Sequence, residues 1–189
     1  MSKEQILEAA AQIFSQKGYH ATSMQDIADA VDLKKASLYH HIAKKQDILL
    51  ILLDRALDLV IQQVSEAIDG QATAPEKLRL AMRTYISTLA SNRNLAAVLL
   101  LEYRSLDPDQ YTAHIARRDR FENLWRDMIK QGLDEGLVDC PDFVQAARAT
   151  LGVMNWTIMW YSPQGSLSPI EIADQYADLL LNGLLTRKE

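Results

Sequence analysis

The sequence predicts an all-α chain: a three-helix head with a helix-turn-helix, followed by a roughly six-helix domain. Three observations predict it. Apolar residues recur at spacings of three and four through most of the 189 residues, and the alternation of a half-buried strand is absent. Capping boxes and glycines punctuate these runs as helix starts and stops. Two short helical patterns joined by a tight turn occupy TSMQDIADAVDLKKASLYHHIAKKQDIL, from Thr22 to Leu49.

The first helix is expected over Lys3 to Lys17, with Ile6, Leu7, Ala10, Ile13 and Phe14 on one face and Gly18 closing it. The second begins at Ser23, whose hydroxyl caps it while Asp26, three residues on, reaches back to the exposed amides. Ile27, Ala28 and Val31 form its apolar face. Asp32 stands where the chain must turn and tolerates a left-handed backbone, and Leu33 returns to the core. In the third helix Leu38 and Ile42, four apart, point inward, which leaves Lys35, Ser37, Tyr39, His40 and His41 at or near the surface. A fourth helix runs from about Gln46 to Ile68 and ends at Asp69-Gly70; a fifth follows Pro75. The sixth, Leu95 to Leu106, carries apolar residues on every side and is expected to be buried all round. The seventh, Pro108 to Gly136, aligns Phe121, Leu124, Trp125, Met128 and Ile129. The eighth covers Pro141 to Tyr161, and Ser168, Pro169 and Glu171 start the ninth with a capping box and proline at its first position.

The chemistry of the head follows from its charges. Leu33 to Gln46 contains four lysines (34, 35, 44 and 45) and no acidic residue, in a chain of formal net charge -5. Positive charge is concentrated where the phosphates of a duplex would lie against a helix inserted in the major groove. The alternative is an ordinary solvated face on a helical interaction module that does not touch DNA.

Composition narrows the remaining classes. At 48% hydrophobic the chain can bury a substantial core, and its single cysteine, Cys140, excludes an intrachain disulfide. Lys3 and Glu4 open an amphipathic helix, so no signal peptide is expected. The longest apolar run, Leu95 to Leu101, is too short to span a membrane. A cytoplasmic protein with no membrane partner is the expectation. Neither a Glu-x-x-His pair nor a G-x-S-x-G elbow occurs, so no catalytic residue, metal ligand or cofactor is assigned and an enzyme is not expected.

ILEAAAQIFSQKGYHATSMQDIADAV, then LYHHI, then Lys45 before Asp47 and Ile48, resemble the head of the tetracycline-repressor (TetR) family of transcriptional regulators. The resemblance implies a DNA-binding domain over residues 1–46 and a ligand-binding and dimerisation domain over 47–189. Many relatives carry Gly at the position of Asp32 and Ser or Thr at that of Lys34, so the recognition helix here lacks its usual cap. The resemblance implies that Thr22 and Ser23, at the start of the second helix, hold a DNA strand. Lys35 and Ser37 would touch base edges, Tyr39, His40 and Lys45 the sugar-phosphate backbone, and Lys34 a further phosphate. Loss of Lys45 would lower the salt slope of binding by about one. His41 is expected to pack against the first helix.

The last two helices suggest a homodimer interface, with intrachain core as the alternative reading of the same surface. Gly152, inside an apolar run, costs about 1 kcal/mol relative to alanine unless it permits close helix approach. Leu180 and Leu184 lie on the apolar side of the ninth helix, and a helix-turn-helix reading a two-fold operator needs two heads.

GVMNWTIMWYSPQGSLSPIEIADQYADLLLNGL, with LLLEYRSLDPDQY and IARRDRFENLW, is similar to the regulatory domains of TetR-type regulators of fatty-acid, phenylacetate and sterol breakdown, which respond to acyl-CoA thioesters. Such an effector needs an apolar channel and cations at its mouth. Candidate walls are Met82, Tyr85, Leu89, Leu99, Tyr103, Phe121, Trp125, Met128, Trp156 and Met159, with His114 near the same stripe; plain core is the alternative for each wall residue. Arg104, Arg117 and Arg118 are the candidate cations; each has an alternative role in surface ion pairs. A hydrophobic drug or cation is the alternative effector.

Overall fold

The computed structural model describes residues 2–70 and 73–182, and the described residues are all-α. The helices are α1 (Lys3–Lys17), α2 (Met24–Ala30), α3 (Lys35–His41), α4 (Lys45–Ala67), α5 (Ala74–Ser91), α6 (Arg93–Ala97), α7 (Pro108–Asp134), α8 (Phe143–Trp160) and α9 (Pro169–Asn182). The chain forms two compact units, Met1–Leu59 with Asn92–Arg117 and Val60–Ser91 with Arg118–Glu189; α4 and α7 each run from one into the other.

In the first unit α1 buries Ile6, Leu7, Ala10, Ala11 and Phe14 and packs on α2 and α6. Ser2 and Gln5 form a reciprocal capping box at its start, and Gly18, at φ 85°, closes it by donating its amide to Phe14 O. The turn between α2 and α3 depends on Asp32, whose φ of 51° is the one positive value among described non-glycine residues. Leu33 N then donates to Ala28 O at 2.9 Å. Lys34 occupies the N-cap of α3 without a side-chain bond, as the sequence implies.

The sixth helical region departs from expectation. After α6 the chain widens into a π turn over Val98–Glu102 and then tightens into a 3-10 turn over Tyr103–Ser105. Every residue added to a helical turn rotates the side chains beyond it by roughly 100°. Val98 and Leu99 are buried, but Leu101 is 51% exposed, so the segment is not buried all round.

The second unit is built on α5, which packs against both α8 and α9. Arg83 donates twice to Asp174, and Arg79 donates to Asp178 at 2.6 Å, pinning α5 to α9 along its polar edge. The end of α7 closes at Gly136, φ 69°, with Leu137 and Val138 both donating to Gly132 O. Gly132 is required by packing: a Cβ there would lie 2.5 Å from Val138 Cγ2 and 3.2 Å from Ala74 Cβ. Asp142 caps α8 by accepting from Val144 and Gln145, so that helix begins two residues later than Pro141 suggests.

Candidate nucleic-acid interface and sensor residues

Helix α3 is held from beneath by Leu38 and Ile42, both buried, and shows its other face to solvent. Lys34, Lys35, Tyr39, His40 and His41 are exposed, and Ser37 is half-buried. His41, the last residue of α3, is exposed rather than buried against α1. The exposed side carries cations and hydrogen-bond donors with no acidic residue from 33 to 46.

The start of α2 differs from expectation. The Thr22 side chain is 2% exposed and donates to Gly18 O at 2.8 Å, while its amide donates to Tyr19 O. Thr22 is a strut of the α1–α2 loop, and neither donor points outward. Ser23 is committed to the capping box: its amide and hydroxyl both donate to Asp26 Oδ2 at 2.6 Å, and its Oγ accepts from the Asp26 amide. Lys17, 2.8 Å from Asp26, completes the cluster. The Lys17 and Ser23 hydrogen bonds hold the Asp26 carboxyl well below the usual carboxylate range. A phosphate here would face that carboxylate.

Lys45 is also turned inward. Its Nζ donates to Tyr19 O at 2.8 Å and Thr22 O at 2.6 Å and stands 4.1 Å from the centre of the Tyr19 ring. Burial lowers its pKa, against the opposing pull of Asp26 and Glu102.

The candidate sensor residues divide between the units. In the second, Tyr85, Phe121 and Trp125 form an aromatic cluster with centroids 5.4 to 6.1 Å apart, and Met82, Leu89 and Met128 are buried with them in the core. Tyr85 Oη donates to Asn155 Oδ1 at 2.8 Å. Desolvation drives the Tyr85 phenol far above its usual pKa, so it remains a donor. Helical spacing does not single out Asn155; a lone amide within the apolar run GVMNWTIMW is the sequence signal that marks it. Arg118 is half-buried. Trp156 and Met159, expected in the wall, are 64% and 55% exposed. Helix α8 is apolar on more than one face, and these two lie on the outer one.

In the first unit Leu99 and His114 are buried, and Tyr103 stacks on Tyr111 and lies 6.4 Å from the His114 ring. Arg104 is exposed over the Tyr103 ring, its Nε donating to Tyr103 Oη at 3.2 Å. Arg117 is spanned by Asp54 and Asp58 of α4, an ion-paired role with partners four residues apart on another helix.

The outer face of α8 bears Gly152, Trp156, Met159 and Trp160, all exposed, and a Cβ at Gly152 would meet nothing within 4 Å. On α9 Ile170 and Leu179 are exposed, whereas Leu180 is half-buried; Leu184 lies outside the described residues. A cavity of about 430 Å³ in the second unit is lined by Leu78, Met82, Ile129, Val138, Thr150 and Leu180, among others, with the half-buried Cys140 on its wall. Among the described residues no His, Cys, Asp or Glu cluster suits a metal ion, and no helix is long and apolar enough to cross a membrane.

Residues 6–51 match the family described as bacterial regulatory proteins, tetR family, and residues 71–184 match the tetracyclin repressor-like C-terminal domain. The HTH-type transcriptional repressor KstR2 of Mycobacterium tuberculosis is 27% identical over 183 residues, 95% of this chain and 91% of its own. The fatty acid metabolism regulator protein of Bacillus subtilis is 27% identical, with 95% of this chain and 94% of its own covered. Among solved structures, PfmR of Thermus thermophilus superposes with a TM-score of 0.88 at 37% identity, covering 96% of this chain and 99% of its own. AibR, solved in complex with isovaleryl coenzyme A and operator DNA, superposes at 0.87 with 30% identity, covering 95% and 97%. An acid-free cationic recognition helix on a three-helix head, the all-helical domain that follows and these matches along the chain make it a member of the TetR family of transcriptional regulators, and not an enzyme.

Proposed function

We propose that this regulator represses its targets by binding a palindromic operator as a homodimer and that an acyl-CoA thioester releases it. Residues 1–46 are the reading module in this account, and residues 47–189 sense the effector and dimerise. The observation that carries the proposal is the exposed face of α3, where Lys34, Lys35, Tyr39 and His40 stand with Ser37 in a stretch, 33–46, that contains no acidic residue. Lys35 and Ser37, in the first turn of α3, reach base edges; Lys34, Tyr39 and His40 engage the sugar-phosphate backbone. Gel shifts on random duplexes test it. Lys35→Ala or Ser37→Ala should relax discrimination at particular base pairs by about 1–3 kcal/mol, and a uniform loss across all duplexes would count against base contact.

The exposed aromatic face of α8 supports the homodimer, since a contiguous exposed apolar patch is characteristic of an interface and a palindrome requires two heads. The acyl-CoA effector is supported by the isovaleryl coenzyme A complex of AibR and by the similarity to a fatty acid metabolism regulator. Of the candidate walls Met82 lines the cavity of about 430 Å³, whose Leu78, Ile129 and Val138 offer apolar surface for an acyl chain. The effector acts by population shift, with a coupling of typically about 1–3 kcal/mol between the two ligands. Thermal shift with acyl-CoAs against free fatty acids and cationic dyes identifies the class, and native mass spectrometry reads dimer mass and retained ligand together. If acyl-CoA binds and operator affinity stays the same, the inducer role fails.

A further inference from the structure

The four histidines of the chain divide into two pairs. His114 is buried beside the Tyr103 ring, and His20 Nε2 lies 3.0 Å from Ser105 Oγ. His40 and His41, by contrast, are the last two residues of α3 and are both exposed. Among the described residues neither of these imidazoles has a hydrogen-bond, ion-pair or ring partner. Their own stretch supplies only cations, Lys34, Lys35, Lys44 and Lys45. The acids of α2, its turn and the start of α4 are Asp26, Asp29, Asp32 and Asp47, and none of them holds either histidine. Asp26 pairs with Lys17 at 2.8 Å, Asp29 accepts from Gln25 Nε2 at 2.7 Å, and Asp47 accepts from the Lys44 amide at 3.1 Å. The fold therefore gives this pair of imidazoles no counter-charge.

We propose that operator binding by this chain is coupled to proton uptake: His40 and His41 take up protons as duplex phosphates approach, and affinity falls as the pH rises through the imidazole range. The inference rests on the reading of α2–α3 as the DNA reader. Imidazole is the side chain whose ordinary titration lies between pH 5 and 8. In its neutral form it brings a phosphate one N–H and no charge; as imidazolium it brings two N–H donors and a positive charge that displaces a counterion. The phosphodiester stays anionic throughout, so the charged form binds it better, and by linkage the duplex favours the protonated imidazole. Neighbours on a helix diverge by roughly 100°, which lets the two histidines serve separate phosphates. The lysines of the same face hold their charge over this range, so the histidines alone make its charge depend on pH.

The test uses the full chain and a duplex selected from a random library by the wild-type protein. Affinity is read by fluorescence anisotropy at fixed ionic strength from about pH 6 to about pH 8. Wild type is expected to bind about tenfold more weakly at the upper end. Its slope of log affinity against log salt should flatten there by about one for each imidazole engaged. Calorimetry in two buffers of different ionisation enthalpy should show protons taken up on binding. The double variant His40→Gln/His41→Gln keeps side-chain donors but cannot titrate, and its affinity and salt slope are expected to stay level across the range. His20→Gln, at the imidazole engaged with Ser105, should keep the wild-type pH dependence. Should the double variant not fold, each single variant is expected to lose about half of the proton uptake. Wild-type affinity that does not change with pH, or a double variant that keeps the wild-type dependence, overturns the proposal while the DNA-reading role stands. A wild-type chain that selects no duplex refutes that role, and the proposal with it.

Discussion

Ser23 and Asp26 show how closely a local pattern specifies local geometry. The spacing Ser-x-x-Asp predicts a reciprocal cap, and the four atoms involved meet at 2.6 to 3.1 Å. Ser23→Ala should cost about 1 kcal/mol of stability, measured by urea unfolding. Asp26 adds a pH dependence. Its folded pKa lies below the ordinary value of 3.8, so its stabilisation is complete above that value and is lost as the pH falls through it toward the folded pKa. Thermal melts taken from about pH 5 downward should show wild type losing stability more steeply than Asp26→Asn. Because the carboxylate is exposed, salt should shrink the difference, and parallel curves for the two proteins would contradict the assignment. Thr22 and Lys45 are the opposite case. Their residue types suit phosphate contact, but which way each side chain turns depends on carbonyls contributed by the α1–α2 loop, and no spacing in the sequence encodes that.

At the scale of the element, helix starts and stops were legible because their causes are local. Gly18, Asp32 and the Ser168 box each act within a few residues. Faces were less legible. The α8 segment is apolar around much of its circumference, so periodicity alone did not separate Met154, which is buried, from Trp156 and Met159, which are not. The π turn was illegible, since an apolar run reads alike whether it winds at 3.6 residues per turn or more widely. Gly132 gives an element-scale prediction. Gly132→Ala raises helix propensity yet forces a Cβ against Val138, and a net loss of about 1–3 kcal/mol is expected. Removing the clash with a second substitution, Val138→Ala, should restore part of it; if the single variant is more stable than wild type, the packing argument is wrong.

For the whole molecule the sharpest prediction concerns Gly152. In the single chain a Cβ there meets open space, so Gly152→Ala should stabilise α8 by about 1 kcal/mol through helix propensity. In a dimer formed through this face the same methyl group separates the helices. The expected result is therefore a split: an unchanged or higher melting temperature at low concentration, with a weaker dimer by sedimentation. Trp156→Glu should abolish the dimer and leave the fold intact, because the indole is largely exposed. Operator affinity should fall with it, since two heads no longer bind as a unit. A fully dimeric Trp156→Glu would move the interface elsewhere.

The sequence by itself determined the all-helical class, the position of the helix-turn-helix, the caps and the cation-rich recognition face. Each of these follows from interactions within one turn of helix or from charge counted along the chain. Only the tertiary structure decided which cation faces outward, which α8 aromatics are buried and which acids hold Arg117. Those outcomes depend on groups far apart in sequence: the Asp54 and Asp58 carboxylates lie about sixty residues from Arg117, and the Tyr19 and Thr22 carbonyls more than twenty from Lys45. Burial and hydrogen bonding select among side-chain directions only once such distant groups are brought together.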